Sequence, residues 1–219
     1  HQNAMIDPIL VCVESRRQIH YLARASAFKN KFAAFILKQL NMLPVYRLRD
    51  SVDIKTANDP IFNESIRRLC ENEIIGIFPE GNHGGRRVLR PLKKGFSRMS
   101  RMALDLGCDP YICPVGIDYS THYRVNGSVQ LIPGDGFYAS EYAHLNEQEF
   151  HNQMVARAKI ILEPVMLIIE NEEVDKLFWR LDRMGWNPEQ LPQLTYRKSL
   201  SAHLDQWPQD KIKELRSAV

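Results

Sequence analysis

The sequence predicts an α/β fold: a mixed, largely parallel central sheet flanked by helices, with a helical C-terminal extension. Short apolar runs alternate with segments of helical period through the first 140 residues, the order expected of strands joined by helical crossovers. One of these runs, Ile-Ile-Gly-Ile-Phe at 74–78, stops abruptly at Pro79-Glu80-Gly81, as a buried strand does when it reaches the edge of a sheet. From about Leu145 the pattern turns helical and stays so. Residues 1–140 are therefore read as the core, and residues 141–219 as an extension packed on it or following it.

The chain of 219 residues is long enough to bury one substantial core. Its net charge of +3 is too small for a surface devoted to nucleic acid, so its basicity is local. Cys12, Cys70, Cys108 and Cys113 form no CxxC pair, and reduced thiols in a cytosolic setting are expected. No apolar run approaches the roughly 18 to 20 residues needed to span a bilayer, and the opening residues lack the apolar core of a signal peptide. The chain opens at His1, inside a motif, so a preceding segment is expected.

Taken in order, Asp7-Pro8 reads as an N-cap followed by proline at the first helical position, opening a helix over 9–17. His1 lies on the turn leading into it. A histidine oriented by an aspartate is the pair a general base needs, because the carboxylate fixes the tautomer and stabilises the imidazolium. A strand follows over 19–23. Phe28, Phe32, Phe35, Ile36, Leu40 and Leu43 then recur at helical spacing among lysines. Packing on the sheet is the expected destination of that stripe, with a membrane interface as the rival. A short strand over 43–47 ends in the cation Arg47, and residues 58–72 form a helix feeding the strand at 74–78. Ligands of such sheets sit beyond the carboxyl ends of the strands, where Arg47 and Glu80 both fall.

The stretch after Glu80 carries most of the chemistry. Asn82, Gly84 and Gly85 let the backbone turn or approach a ligand, and Arg86, Arg87, Arg90, Lys93 and Lys94 place five cations in nine residues. Guanidinium and ammonium groups beside a strand-end carboxylate suit a phosphorylated substrate. A helix over 95–107, strands over 111–117 and 128–132, and long helical patterns beyond Leu145 complete the chain. Glu170-Asn171-Glu172-Glu173 reads as a solvated acidic face, and no metal ligand set is recognised. Residues 186–219 carry no recognisable chemistry. His20 and His122 read as structural, and His83 as a weaker alternative base.

Four pieces stand in an order that resembles the glycerolipid acyltransferases, the family of 1-acylglycerol-3-phosphate and glycerol-3-phosphate acyltransferases. His1 and Asp7 resemble its first block, a catalytic dyad. Val45-Tyr46-Arg47 is similar to the second, whose arginine contacts the acceptor phosphate. Phe78-Pro79-Glu80-Gly81 matches the third letter for letter, and Cys113-Pro114-Val115 is similar to the fourth. The resemblance covers about residues 1–135. Five residues separate His1 from Asp7 where the family usually has four, a longer form shared by relatives resembling the fungal glycerol-3-phosphate acyltransferases. Asn82-His83-Gly84 stands where Thr-Arg-Ser is common, so Arg86 or Arg87 would replace a phosphate ligand, and Lys93 or Lys94 resembles a later family lysine.

The resemblance implies an acyltransferase with catalytic His1 and Asp7 and with Arg47, Glu80, Gly81, Arg86, Arg87 and Lys93 binding substrate. The acyl donor would be acyl-CoA or acyl carrier protein and the acceptor a lysophospholipid or glycerol phosphate, with no other cofactor, no metal and no nucleic acid. The expected place is the cytoplasmic face of a membrane, held peripherally or through a segment outside this chain. Three rival functions remain at this point. They are acyl transfer to an amino-acid-derived lipid without phosphate, a non-catalytic lipid or acyl-carrier binding module of the same fold, and hydrolysis of phosphate esters.

Overall fold

The computed structural model describes residues 6–45, 54–81, 87–119 and 129–169, together with residues 172, 175 and 176. His1, Arg47, His83, Arg86, His122 and the tail from residue 177 onward lie outside the described residues. The first helix, α1 (Ile6–Glu14), takes Asp7 and Pro8 into its first turn and buries both. It leads to β1 (Ile19–Arg24), the middle strand of a three-stranded parallel sheet in the order β2-β1-β3. Parallel neighbours need a crossover, and two helices supply it. Here α2 (Lys31–Gln39) connects β1 to β2 (Met42–Val45), and α3 (Ile54–Cys70) carries the chain back past β1 to β3 (Ile74–Gly76). Tyr21 pairs with Met42 on one side and Gly76 on the other. Because all three strands run the same way, Arg24, Val45 and the turn after Gly76 share one edge of the sheet.

Several boundaries differ from expectation for local reasons. The third strand ends at Gly76 instead of Phe78, and its Gly is required: a Cβ there would lie 2.3 Å from the Tyr21 ring. α3 starts earlier than expected and runs through Pro60, forgoing one backbone bond at that turn. The apolar run at 111–117 is broken by Cys113-Pro114 into β4 (Tyr111–Ile112) and β5 (Val115–Tyr119). β5 pairs antiparallel with β6 (Val129–Pro133), and β4 with β7 (Phe137–Tyr138).

Between them, α4 (Gly95–Asp105) buries Met99 and Ala103 and turns the hydroxyls of Ser97 and Ser100 back onto its own carbonyls. It ends in the glycine expected, Gly107 at φ +80. In the extension, α5 (Glu147–Leu162) is capped by the Asn146 side chain, which accepts from the Glu149 amide at 3.0 Å. Phe150, Met154, Ala158 and Ile161 fall on its inner face and cluster with Phe137 and Ala139. Burial of a side chain the size of Phe150 or Met154 stabilises the fold by about 1.5–3 kcal/mol each.

Two expectations are overturned. The stripe on α2 does not pack on the sheet: Phe32 is 74% exposed, Phe35 62%, Ile36 41% and Leu40, just past the helix, 47%. The helix turns Ala34 and Leu37 inward instead. Nor are all four thiols free. Cys12 and Cys113 are, but α3 packs on α4 so that the Cα atoms of Cys70 and Cys108 lie 5.4 Å apart, and the two are disulfide-bonded.

Candidate active site

Asp7 is fully buried, an unusual position for a carboxylate unless it is held. The holder comes from far along the chain. Tyr119, the last residue of β5, donates its hydroxyl to Asp7 Oδ1 at 2.5 Å. Burial, and then the bond to Asp7, push the Tyr119 phenol well above its ordinary pKa, so it stays protonated and keeps donating.

Glu80 sits in the turn that follows β3. The Gly81 amide donates to the Phe78 carbonyl at 3.1 Å, and Gly81 itself adopts φ +71, which glycine reaches without penalty. The Lys93 amide donates to the Pro79 carbonyl at 2.7 Å, fastening the far side of the basic segment to the same turn. Glu80 is only 9% exposed. Burial raises its pKa; the Asp7 charge pushes the same way and Arg90 opposes it. Asp7 and Glu80 therefore sense one another, and two carboxylates distant in sequence share one electrostatic neighbourhood.

Glu80 lines a cavity of about 320 Å³ whose wall is mostly apolar. Phe78 and Pro79 line it together with Cys113, Pro114 and Val115, so the third and fourth sequence blocks meet here. Val11 of α1, Phe96 and Met99 of α4, and Ala158 and Leu162 of α5 complete the wall. A half-open, mostly apolar cavity with a carboxylate in its lining suits a ligand with a hydrocarbon part and a polar end.

The expected substrate-binding residues fall in different settings. Gly81 is in the turn, and the Lys93 side chain is exposed, its Cγ 3.8 Å from where a Gly81 Cβ would stand. Arg87 is only 2% exposed. Its guanidinium faces Asp175 at 3.6 Å, and its carbonyl accepts from the Ile169 amide at 2.6 Å. The basic segment is thereby tied to the extension. His20 is buried in β1, its Nε2 2.8 Å from a Glu73 oxygen and its ring beside Arg68. Its neighbours are those of a braced core histidine.

Reasoning from sequence missed Tyr119 and the share of α5 in the cavity. A signal for Tyr119 existed. Val115 and Ile117 line the chamber, and the two-residue period of a strand puts Tyr119 on the same face, a polar-tipped aromatic at a strand's carboxyl end. Among the described residues no cluster of histidine, cysteine, aspartate and glutamate could hold a metal ion.

Comparison with known proteins places the family. Residues 1–118, more than half of the chain, match the family model described as Acyltransferase. The chain belongs to the acyltransferase family. It is 30% identical over 134 residues to a 1-acyl-sn-glycerol-3-phosphate acyltransferase of Bacillus subtilis (strain 168), an alignment that takes in 60% of this chain and 61% of that protein. The match thus spans about three fifths of the length of this curated relative. No solved structure matches the chain. Among the described residues, no helix is long and apolar enough to cross a membrane.

Proposed function

We propose that this acyltransferase moves a fatty acyl group from acyl-CoA or acyl carrier protein to a hydroxyl of a lysophospholipid or glycerol phosphate. The observation that carries the reading is the mostly apolar cavity lined by Glu80 and by the third and fourth sequence blocks, together with a buried Asp7 held by Tyr119. His1 takes the proton of the acceptor hydroxyl as its oxygen attacks the thioester carbonyl. The tetrahedral intermediate collapses, the carbon–sulfur bond breaks, and the departing thiolate recovers that proton from the imidazolium. Asp7 orients the ring and balances its charge, while Tyr119 occupies one carboxylate oxygen and holds the other in a fixed direction. Positioned base catalysis of this kind is worth about 10²- to 10⁴-fold.

The acceptor supplies the nucleophile, so no acyl-enzyme is needed. Arg47, Arg86 and Lys93 are the cations assigned to the acceptor phosphate, while Arg87, buried against Asp175, ties the basic segment to the extension. Fixing the phosphate places the hydroxyl against the base, an effect that reaches many powers of ten in well-oriented reactions. The chamber takes the acyl chain, whose apolar surface matches its wall. The site would work at a membrane surface, where its lipid substrates reside.

A radiolabelled acyl-donor assay against a panel of lysolipids and glycerol 3-phosphate tests the reading. His1→Ala should lower kcat by about 10²- to 10⁴-fold. An unchanged rate in that variant removes the base assignment, and absence of transfer to every acceptor removes the reaction.

A further inference from the structure

We propose that α2 is a membrane-docking helix whose outer face enters an anionic bilayer surface. The helix places Phe32, Phe35 and Ile36 on one exposed side, continued by Leu40. The ordinary amphipathic arrangement is inverted, since the small Ala34 faces inward with Leu37 while both phenylalanines face out. Two phenylalanines and two aliphatic side chains adjacent on a helix form the kind of contiguous apolar patch that marks an interaction site.

Charge decides between a membrane and a protein partner. Residues 25–43 contain Lys29, Lys31 and Lys38 and no aspartate or glutamate. Lys31 and Lys38 lie one helical face to the side of Phe32 and Phe35, and all three lysines are exposed. Their ammonium groups reach headgroup phosphates while the rings enter the boundary of the acyl chains, which is how an interfacial helix partitions. An apolar face flanked by cations and free of carboxylates complements an anionic lipid surface and repels a second copy of itself.

Placement gives the contact a use. α2 begins seven residues beyond the end of β1, on the sheet edge from which the Glu80 turn also projects. With the helix docked, its first turn, which carries Phe32, brings that edge next to lipid. The docking role rests on the acyl-transfer reading for its purpose and not for its occurrence.

The test is co-sedimentation of the full chain with vesicles of phosphatidylcholine alone or with added phosphatidylglycerol, in the absence of any acyl donor. Wild type should bind the anionic vesicles and lose them as salt rises. The Phe32→Ser/Phe35→Ser variant, folded by thermal melting, should partition at least about tenfold more weakly. Lys31→Gln and Lys38→Gln should each cost about fivefold on anionic vesicles and little on neutral ones. Turnover of a short-chain, water-soluble acyl donor with glycerol 3-phosphate should be unchanged in all of them. Wild type that ignores anionic vesicles, or serine variants that bind like wild type, overturns the proposal. So does a wild-type dimer that those variants dissociate. Vesicle binding without acyl transfer would leave this inference standing and remove the proposed reaction instead.

Discussion

Asp7 and Tyr119 illustrate how a single contact sets the behaviour of a site. A carboxyl group removed from water is tolerable only with hydrogen-bond partners aimed at it, and the Tyr119 hydroxyl is such a partner. Tyr119→Phe should cost about 1–3 kcal/mol of stability, the penalty of leaving a buried polar group short of a partner, readable as a lower urea midpoint. The same change should lower kcat while leaving KM for the acyl donor near its wild-type value, because in the proposed mechanism Tyr119 acts through Asp7. A fall in KM affinity with unchanged kcat would place Tyr119 in binding instead. Nothing local in the sequence reveals this pair, since its members stand 112 positions apart and only the closed fold brings them together. Asp7 and Glu80 stand out in the sequence at a helix start and a strand end, and it is the resemblance to the acyltransferase blocks that gives them a role.

At the scale of elements, the sheet and its crossovers were readable from period alone, and the failures are instructive. A helical stripe of phenylalanines announces an amphipathic face but carries no sign saying which way that face points, so α2 was assigned inward and points outward. The strand at 111–117 was read as continuous because its residues are apolar throughout, whereas Pro114 cannot donate to a ladder and the pairing partner changes there. β5 is also the strand most tightly enclosed. A Cβ at Gly116 would lie 1.9 Å from the Val165 carbonyl oxygen, in the short 3₁₀ turn after α5. Gly116→Ala must therefore displace backbone, and it should cost about 1–3 kcal/mol or more in chemical denaturation. Wild-type stability in that variant would mean that the turn yields freely.

For the whole molecule, two features govern stability. The Cys70–Cys108 bridge closes a separation of 38 residues between α3 and the end of α4. The loop-entropy relation assigns such a bridge about 4 kcal/mol, so reduction, or Cys70→Ser with Cys108→Ser, should lower Tm markedly. A reduced protein that melts with the oxidised one would show that the packing of α3 on α4 suffices alone. Spacing could not reveal this bridge, because two scattered cysteines become neighbours only through helix packing. The second feature is buried histidine. Desolvation pushes His151 below its usual pKa of 6.5, against the pull of Glu147, and desolvation together with Arg68 does the same to His20. The unfolded chain then binds more protons as pH falls through about 6.5, so stability is full above that value and is lost on further acidification. His151→Gln should flatten urea midpoints measured between pH 7.5 and 5.5; an unaltered slope would exclude His151 as a source.

The posts around the basic segment carry one more implication. Gly81 is pinned to Phe78, Arg87 to Ile169 and Lys93 to Pro79, so the residues numbered 82–86 run between anchored ends. Lengthening or replacing a stretch held in that way is cheap, since doubling such a span costs only about 0.6 kcal/mol of closure entropy. The sequence between these anchors can thus change while the apolar cavity and the buried aspartate stay as they are.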